Sequence, residues 1–120
     1  MPHVCHWEIA ARDAAALQSF YRKLFDWEID ANNPMQYGMA RTGGQTGNGI
    51  DGGIYPACED TPAYVSFYVF VEDLQAYLDR AASLGGKTLV PPTPLPDGDG
   101  HIAMFADPEG NRIGLYSERG

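Results

Sequence analysis

The chain opens with a short β-rich run, residues 4–9, and then changes period: Leu17, Phe20, Tyr21 and Leu24 recur at helical spacing. The first pattern predicts a strand and the second a helix with one apolar face. Asp13, just ahead of that helix, is a suitable N-cap, because its carboxylate accepts a bond from a free N–H of the first turn. Trp27-Glu28-Ile29 begins another strand, and residues 36–41 and 50–55 read as two more. The glycine-rich segment 43–49 between them predicts an irregular loop.

The second half repeats this order. Residues 64–71 are nearly continuous aromatic and β-branched positions, a strong strand signal. Asp73 can cap a helix whose apolar face is Leu74, Tyr77, Leu78 and Ala81, and Gly85-Gly86 supplies a residue of positive φ to end it. Residues 87–90 form a strand. The proline run 91–96 lacks the N–H donors of a central strand and reads as an extended loop. Residues 101–105 and 112–116 are the last two strands. Asp107-Pro108-Glu109-Gly110 between them has the sequence of a type I turn.

Laid over each other, the halves match weakly: His6-Trp7-Glu8-Ile9 falls on Ser66-Phe67-Tyr68-Val69, and Arg12-Asp13 on Glu72-Asp73. The expected architecture is α+β. It is one domain over residues 1–120, made of two βαβββ modules at about 1–57 and 62–120. Paired, the modules would form a curved mixed sheet with helices on its convex side and a concave cleft, the usual place for a ligand.

Composition narrows the partners. A chain of 120 residues with 44% apolar residues can bury a core without staples. Sixteen acidic residues against eight basic ones give a formal charge of −8. Lys and Arg are not clustered, so neither nucleic acid nor an anionic membrane is an expected partner. No run reaches the roughly 18 apolar residues of a membrane span. Two cysteines, Cys5 and Cys58, and no basic-then-apolar start lead to the expectation of a cytoplasmic protein.

Strand alternation sorts the side chains. With Trp7 and Ile9 toward the helices, His6 and Glu8 share the cleft face with Asp51, Gly53 and Tyr55. In the second half the same face carries Ser66, Tyr68, Arg112, Gly114 and Tyr116, while Val65, Phe67 and Val69 face the helices. A mixed aromatic and polar lining suits an oxygenated or aromatic small molecule. His6 with Glu8 is the one candidate acid/base pair, although a hydrogen-bonded histidine at a strand end is the more ordinary account of His6. Asp51, Tyr55, Ser66, Tyr68, Arg112, Gly114 and Tyr116 are the candidate ligand-binding set. Zinc spacings of the CxxC type, phosphate-cradling loops and nucleophile elbows do not occur.

Three stretches resemble one family. They are His6-Trp7-Glu8-Ile9 followed by Phe20-Tyr21-Arg22-Lys23-Leu24-Phe25-Asp26-Trp27, then Gly52-Gly53-Ile54-Tyr55-Pro56, and last Ala106-Asp107-Pro108-Glu109-Gly110-Asn111-Arg112-Ile113-Gly114-Leu115. Their order is similar to that of the vicinal oxygen chelate (glyoxalase/bleomycin resistance/dioxygenase) superfamily. The resemblance implies the paired βαβββ fold. In metal enzymes of that family it also implies four cleft-facing ligands, which here fall on His6, Gly53, Ser66 and Gly114. Only the first is a good donor, so neither a bound metal nor another cofactor is expected. The expected function is binding of a small organic molecule, in a homodimer. The alternative is a lyase, isomerase or dioxygenase of the same superfamily. It would use His6 and Glu8 as acid/base, or a non-standard metal site drawing on Glu8 or His101.

Overall fold

A computed structural model describes residues 1–43, 46–58, 60, 62–96 and 98–119. The chain divides into two compact units, an N-terminal one of His6–Val65 and a C-terminal one of Ser66–Gly120 together with Met1–Cys5. The fold is α+β, with the expected βαβββ order in each half.

The N-terminal unit contains β1 (His3–Ala11, which starts in the other unit), α1 (Ala14–Phe25), β2 (Glu28–Asp30), β3 (Gly38–Arg41) and β4 (Gly52–Pro56). β4 runs parallel to β1 and antiparallel to β3, and β3 is antiparallel to β2. Asp13 caps α1 by accepting from Ala16 N at 3.1 Å. Ile29, Ala40 and Ile54 form the core, with Trp7, Ile9, Leu17, Tyr21 and Trp27 packed on it. Trp7 and Ile9 therefore take the helix side, as the alternation predicts. Ile54 is fully buried, so truncating it to alanine costs about 2–5 kcal/mol.

The predicted face of α1 is only half right. Leu17 and Tyr21 pack inward, but Phe20 and Leu24 are more than half exposed, and Gln18 is buried in their stead. The apolar arc of the helix is wider than its contact, which centres on Ala14, Gln18 and Tyr21. Gln18 lies inside because its Nε2 donates to Ile54 O at 2.7 Å. Gly38 makes room for it, since a Cβ there would come within 2.6 Å of Gln18 Nε2. Of the predicted loop 43–49, Gly44 and Gln45 lie outside the described residues.

The C-terminal unit contains β5 (Tyr64–Phe70, which starts in the N-terminal unit), α2 (Leu74–Ser83), β6 (Lys87–Pro94), β7 (His101–Ala106) and β8 (Arg112–Ser117). β5 is parallel to β8, β8 antiparallel to β7, and β7 antiparallel to β6. Val71, Leu74, Leu78, Ala103 and Leu115 make its core, with Val69, Tyr77 and Phe105 against it. Asp73 caps α2 through Ala76 N, and Gly85 follows the helix at φ 100°. Asp107 accepts from Gly110 N at 2.8 Å, closing the predicted turn.

Two expectations change here. The proline run is not a loop: β6 continues through Pro94, with register shifts between Thr88 and Val90 and between Val90 and Thr93. β6 ends the ladder, and an edge strand with bulges has backbone positions that need no donor, which proline can fill. Phe67 and Val65 are also not packed on a helix. Both are exposed, while Val69 and Val71 pack with Leu74 and Leu78 of α2.

Candidate functional site

The N-terminal unit gathers its polar aromatic residues around one carboxylate. β1 places His6 and Glu8 on one face, and in the parallel ladder Glu8 is the partner of Gly53. Met39 of β3 pairs with Gly53 from the other side, and Tyr37 stands just ahead of β3. The loop before β3 delivers Tyr37. Asn33 Oδ1 accepts from Tyr37 N at 2.9 Å, and Asn33 Nδ2 donates to Tyr37 O at 2.7 Å. Gln36, at φ 53°, makes the left-handed turn that points the next residue back over the sheet.

Glu8 is buried, with 4% of its surface exposed. Tyr37 Oη donates to its Oε1 at 3.0 Å, and Tyr64 Oη to its Oε2 at 2.6 Å. Tyr55 Oη lies 2.6 Å from Tyr64 Oη, and His6 Nε2 lies 2.7 Å from Tyr37 Oη. The rings support the same arrangement: Tyr37 stacks on Tyr55 with centroids 5.3 Å apart. A buried charged acceptor without donors is costly, and two phenols supply charge-assisted bonds that offset the loss of water.

Burial pushes the His6 pKa below its usual value, against the opposing pull of Glu8 and then Asp51. Burial also raises the Tyr64 pKa, and the Glu8 charge and hydrogen bond raise it further. Tyr64 is thus held as a phenol, a donor to the carboxylate. The arrangement can orient a polar ligand and can hold or pass a proton along a connected set of groups.

The predicted residues separate into two groups. His6, Glu8 and Tyr55 belong to this cluster. Asp51 stands just ahead of β4, where its Oδ1 accepts from Thr42 N at 2.8 Å. In the C-terminal unit Ser66 is buried and donates to Arg112 O, at the start of β8. Tyr68 lies across Gly114, its partner in the ladder. Tyr116 Oη donates to Asp99 O at 2.8 Å, and the Tyr116 ring lies 6.0 Å from that of Phe70. His101 opens β7, and its buried Nδ1 has no hydrogen-bond partner among the described residues.

Sequence reading did not select Tyr37 or Tyr64, although each stands one alternation step from a residue on the shared face. Tyr64 precedes Ser66 by one alternation step. Tyr37 precedes Met39 by one, and Met39 lies opposite Gly53.

The four positions implied for a metal do not fit one. His6 Nε2 is engaged by Tyr37. A Cβ at Gly53 would stand 1.9 Å from the Tyr37 ring, and one at Gly114 would stand 2.4 Å from the Tyr68 ring. In both units a tyrosine ring fills the space a ligand side chain would need. Among the described residues no group of three or more His, Cys, Asp or Glu side chains converges on a common point.

The sequence profile of the Glyoxalase/Bleomycin resistance protein/Dioxygenase superfamily matches residues 2–115. The chain belongs to that superfamily. It is 29% identical over 114 residues to proteins of Mycobacterium bovis and Mycobacterium tuberculosis named "Putative glyoxylase CFP32". The match takes in 91% of this chain and 43% of the length of those relatives, so the chain spans less than half of each. A solved superfamily member from Vibrio splendidus 12B01 superposes with a TM-score of 0.63 at 15% identity, over 98% of both chains. A methylmalonyl-CoA epimerase from Streptomyces coelicolor gives 0.67 at 20% identity, over 96% of this chain and 93% of its own. At such identities the structural likeness establishes the superfamily fold and leaves the chemistry to be argued from the residues.

Proposed function

We propose that this superfamily member is a small-molecule-binding protein, and that its N-terminal unit holds an oxygenated or aromatic organic ligand against the tyrosine cluster. The observation that carries this reading is Glu8. A carboxylate kept in the interior by two phenols, with His6 and Tyr55 at the ends of the chain, is an expensive arrangement for packing alone. Stacked Tyr37 and Tyr55 offer aromatic surface, and the hydroxyls offer orientation. The expected setting is a homodimer in the cytoplasm, which light scattering and fractionation test directly.

The binding experiment is a thermal-shift screen with phenols, catechols and 1,3-dicarbonyl compounds. A ligand present at about 100 times its dissociation constant adds roughly 2.7 kcal/mol to folding stability. That gain should fall sharply in Tyr37→Phe and Tyr55→Phe. A compound that stabilises the wild type and both variants equally would place the ligand elsewhere.

One observation favours a second reading, an enzyme of the lyase or isomerase type. His6, Tyr37 and Glu8 are linked in series, which is how a base is joined to a group that stabilises its protonated form.

A further inference from the structure

The N-terminal unit has a second concave place, apart from the tyrosine cluster. It is a cavity of about 390 Å³ between the start of α1 on one side and Ala31, Gln36 and Pro56 on the other. Sites for small organic molecules have volumes of this order. Its lining takes in none of His6, Glu8, Tyr37, Tyr55 or Tyr64.

Gln18 gives the cavity its character. The residue is only 4% exposed, so its amide is held in the interior. Nε2 donates to Ile54 O at 2.7 Å and reaches Gln36 O at 3.5 Å. Two carbonyls on that side fix which end of the amide is the nitrogen. The other end, Oε1, has no hydrogen-bond partner among the described residues. It is not sealed within the packing, and Gln18 lines the cavity. A buried acceptor left unfilled is costly, and a ligand that brings a donor removes that cost. The rest of the lining carries both signs of charge. Asp13 spends Oδ1 on capping α1, and its Oδ2 accepts nothing among the described residues. Arg12 is exposed and makes no ion pair among the described residues. Ala14 and Ala15 present first-turn N–H groups, which have no helical carbonyl to bond and which favour an anion.

We infer that this cavity is a second binding site, for a small zwitterion: a free α-amino acid or a dipeptide. The ligand's carboxylate accepts from the Ala14 and Ala15 N–H groups and from the Arg12 guanidinium. Its ammonium group donates to Gln18 Oε1 and to Asp13 Oδ2. A simple anion would meet the Asp13 charge and a simple cation the Arg12 charge, so a molecule that carries both signs fits better than either. The methyl groups of Ala14 and Ala31 and the Pro56 ring leave an apolar wall for a small aliphatic side chain. Binding is reversible and makes no covalent bond. The site goes beyond the proposed function and uses none of its residues.

The probes are L-alanine and L-alanyl-L-alanine, titrated to millimolar concentrations into 15N-labelled protein and followed in proton–nitrogen correlation spectra. At least one of them should move the backbone signals of Ala14 and Ala15 and the side-chain amide signals of Gln18. Arg12→Ala alters an exposed residue, and Asp13→Asn keeps a good helix cap. Each should weaken binding about ten-fold, the scale of one lost charge-assisted contact. N-acetyl-L-alanine and ethylamine, which each lack one of the two charges, should bind more weakly than L-alanine by a similar factor. If neither probe shifts these signals, the inference fails. Shifts centred on Tyr37 and Tyr55 would put the ligand in the tyrosine cluster and overturn it. Equal binding of either single-charge analogue, or unaltered binding in either folded variant, overturns it as well. The wild-type titrations with the two analogues decide the question even if a variant does not fold.

Discussion

Gly53 is the seat of Tyr37: a Cβ added to the glycine would stand 1.9 Å from the ring's Cε1 and 2.2 Å from its hydroxyl oxygen. The ring cannot occupy this place above any other residue. The same relationship holds between Gly114 and Tyr68, where the added Cβ would stand 2.4 Å from Cδ2. Gly53→Ala is therefore expected to displace Tyr37 and destabilise the protein by about 1–3 kcal/mol, as overpacking does. Urea unfolding measures the loss. Stability within error of wild type would mean that the ring has an alternative seat.

The two seats lead to an expectation about metals. Protein purified without a His-tag should contain no stoichiometric transition metal. Structural zinc takes four protein ligands and catalytic zinc about three. Here one imidazole is already bonded to a phenol, and rings cover two of the other implied positions. Elemental analysis that finds one metal per chain in the wild type, and none in His6→Ala, would contradict this and favour a non-standard metal site.

Tyr64→Phe tests what the carboxylate needs. The substitution removes the donor to Glu8 Oε2 and breaks the contact with Tyr55. Leaving a buried acceptor without its partner costs about 1–3 kcal/mol. Chemical denaturation should show a loss in that range with little change in the denaturant slope. A loss much smaller than this would mean that water replaces the phenol.

Acid should weaken the fold partly through His6. Burial sets its pKa below the ordinary histidine value of 6.5, so the folded protein resists protonation that the unfolded chain accepts. The unfolded state then binds more protons, and the contribution of His6 is present above pH 6.5 and lost as pH falls toward and through the folded value. The drop in melting temperature between pH 8 and pH 5 should be smaller in His6→Gln than in the wild type. An unchanged drop would show that His6 is not in a desolvated place.

How far the sequence carried depended on the range of the interaction. Local signals were reliable. Asp13 and Asp73 cap the helices and Asp107 closes its turn, because each acts on a backbone group a few residues away. Alternation placed Trp7, Glu8 and Tyr55 correctly. Periodicity alone failed for Phe20 and Leu24, since it marks apolar positions and not the width of the surface available to cover them. It failed also at β6, because whether a proline-rich strand is tolerated depends on its being at an edge. Glu8 was legible as a neighbour of His6. The partners that define it, Tyr37 and Tyr64, come from segments distant in sequence, and only the folded chain brings them to it.

Asn33 supplies no hydroxyl or carboxylate to the polar cluster around Glu8, yet it helps to set where one of that cluster's members stands. It grips Tyr37 by the main chain, from both N and O, and leaves the ring to be carried like a tool in a holder. The segment that forms the holder belongs to no strand or helix. Substitutions there can raise, lower or exchange the phenol without reshaping β1 or β4. The position of the phenol over Gly53 is thus set by a short connecting segment and not by the strands beneath it.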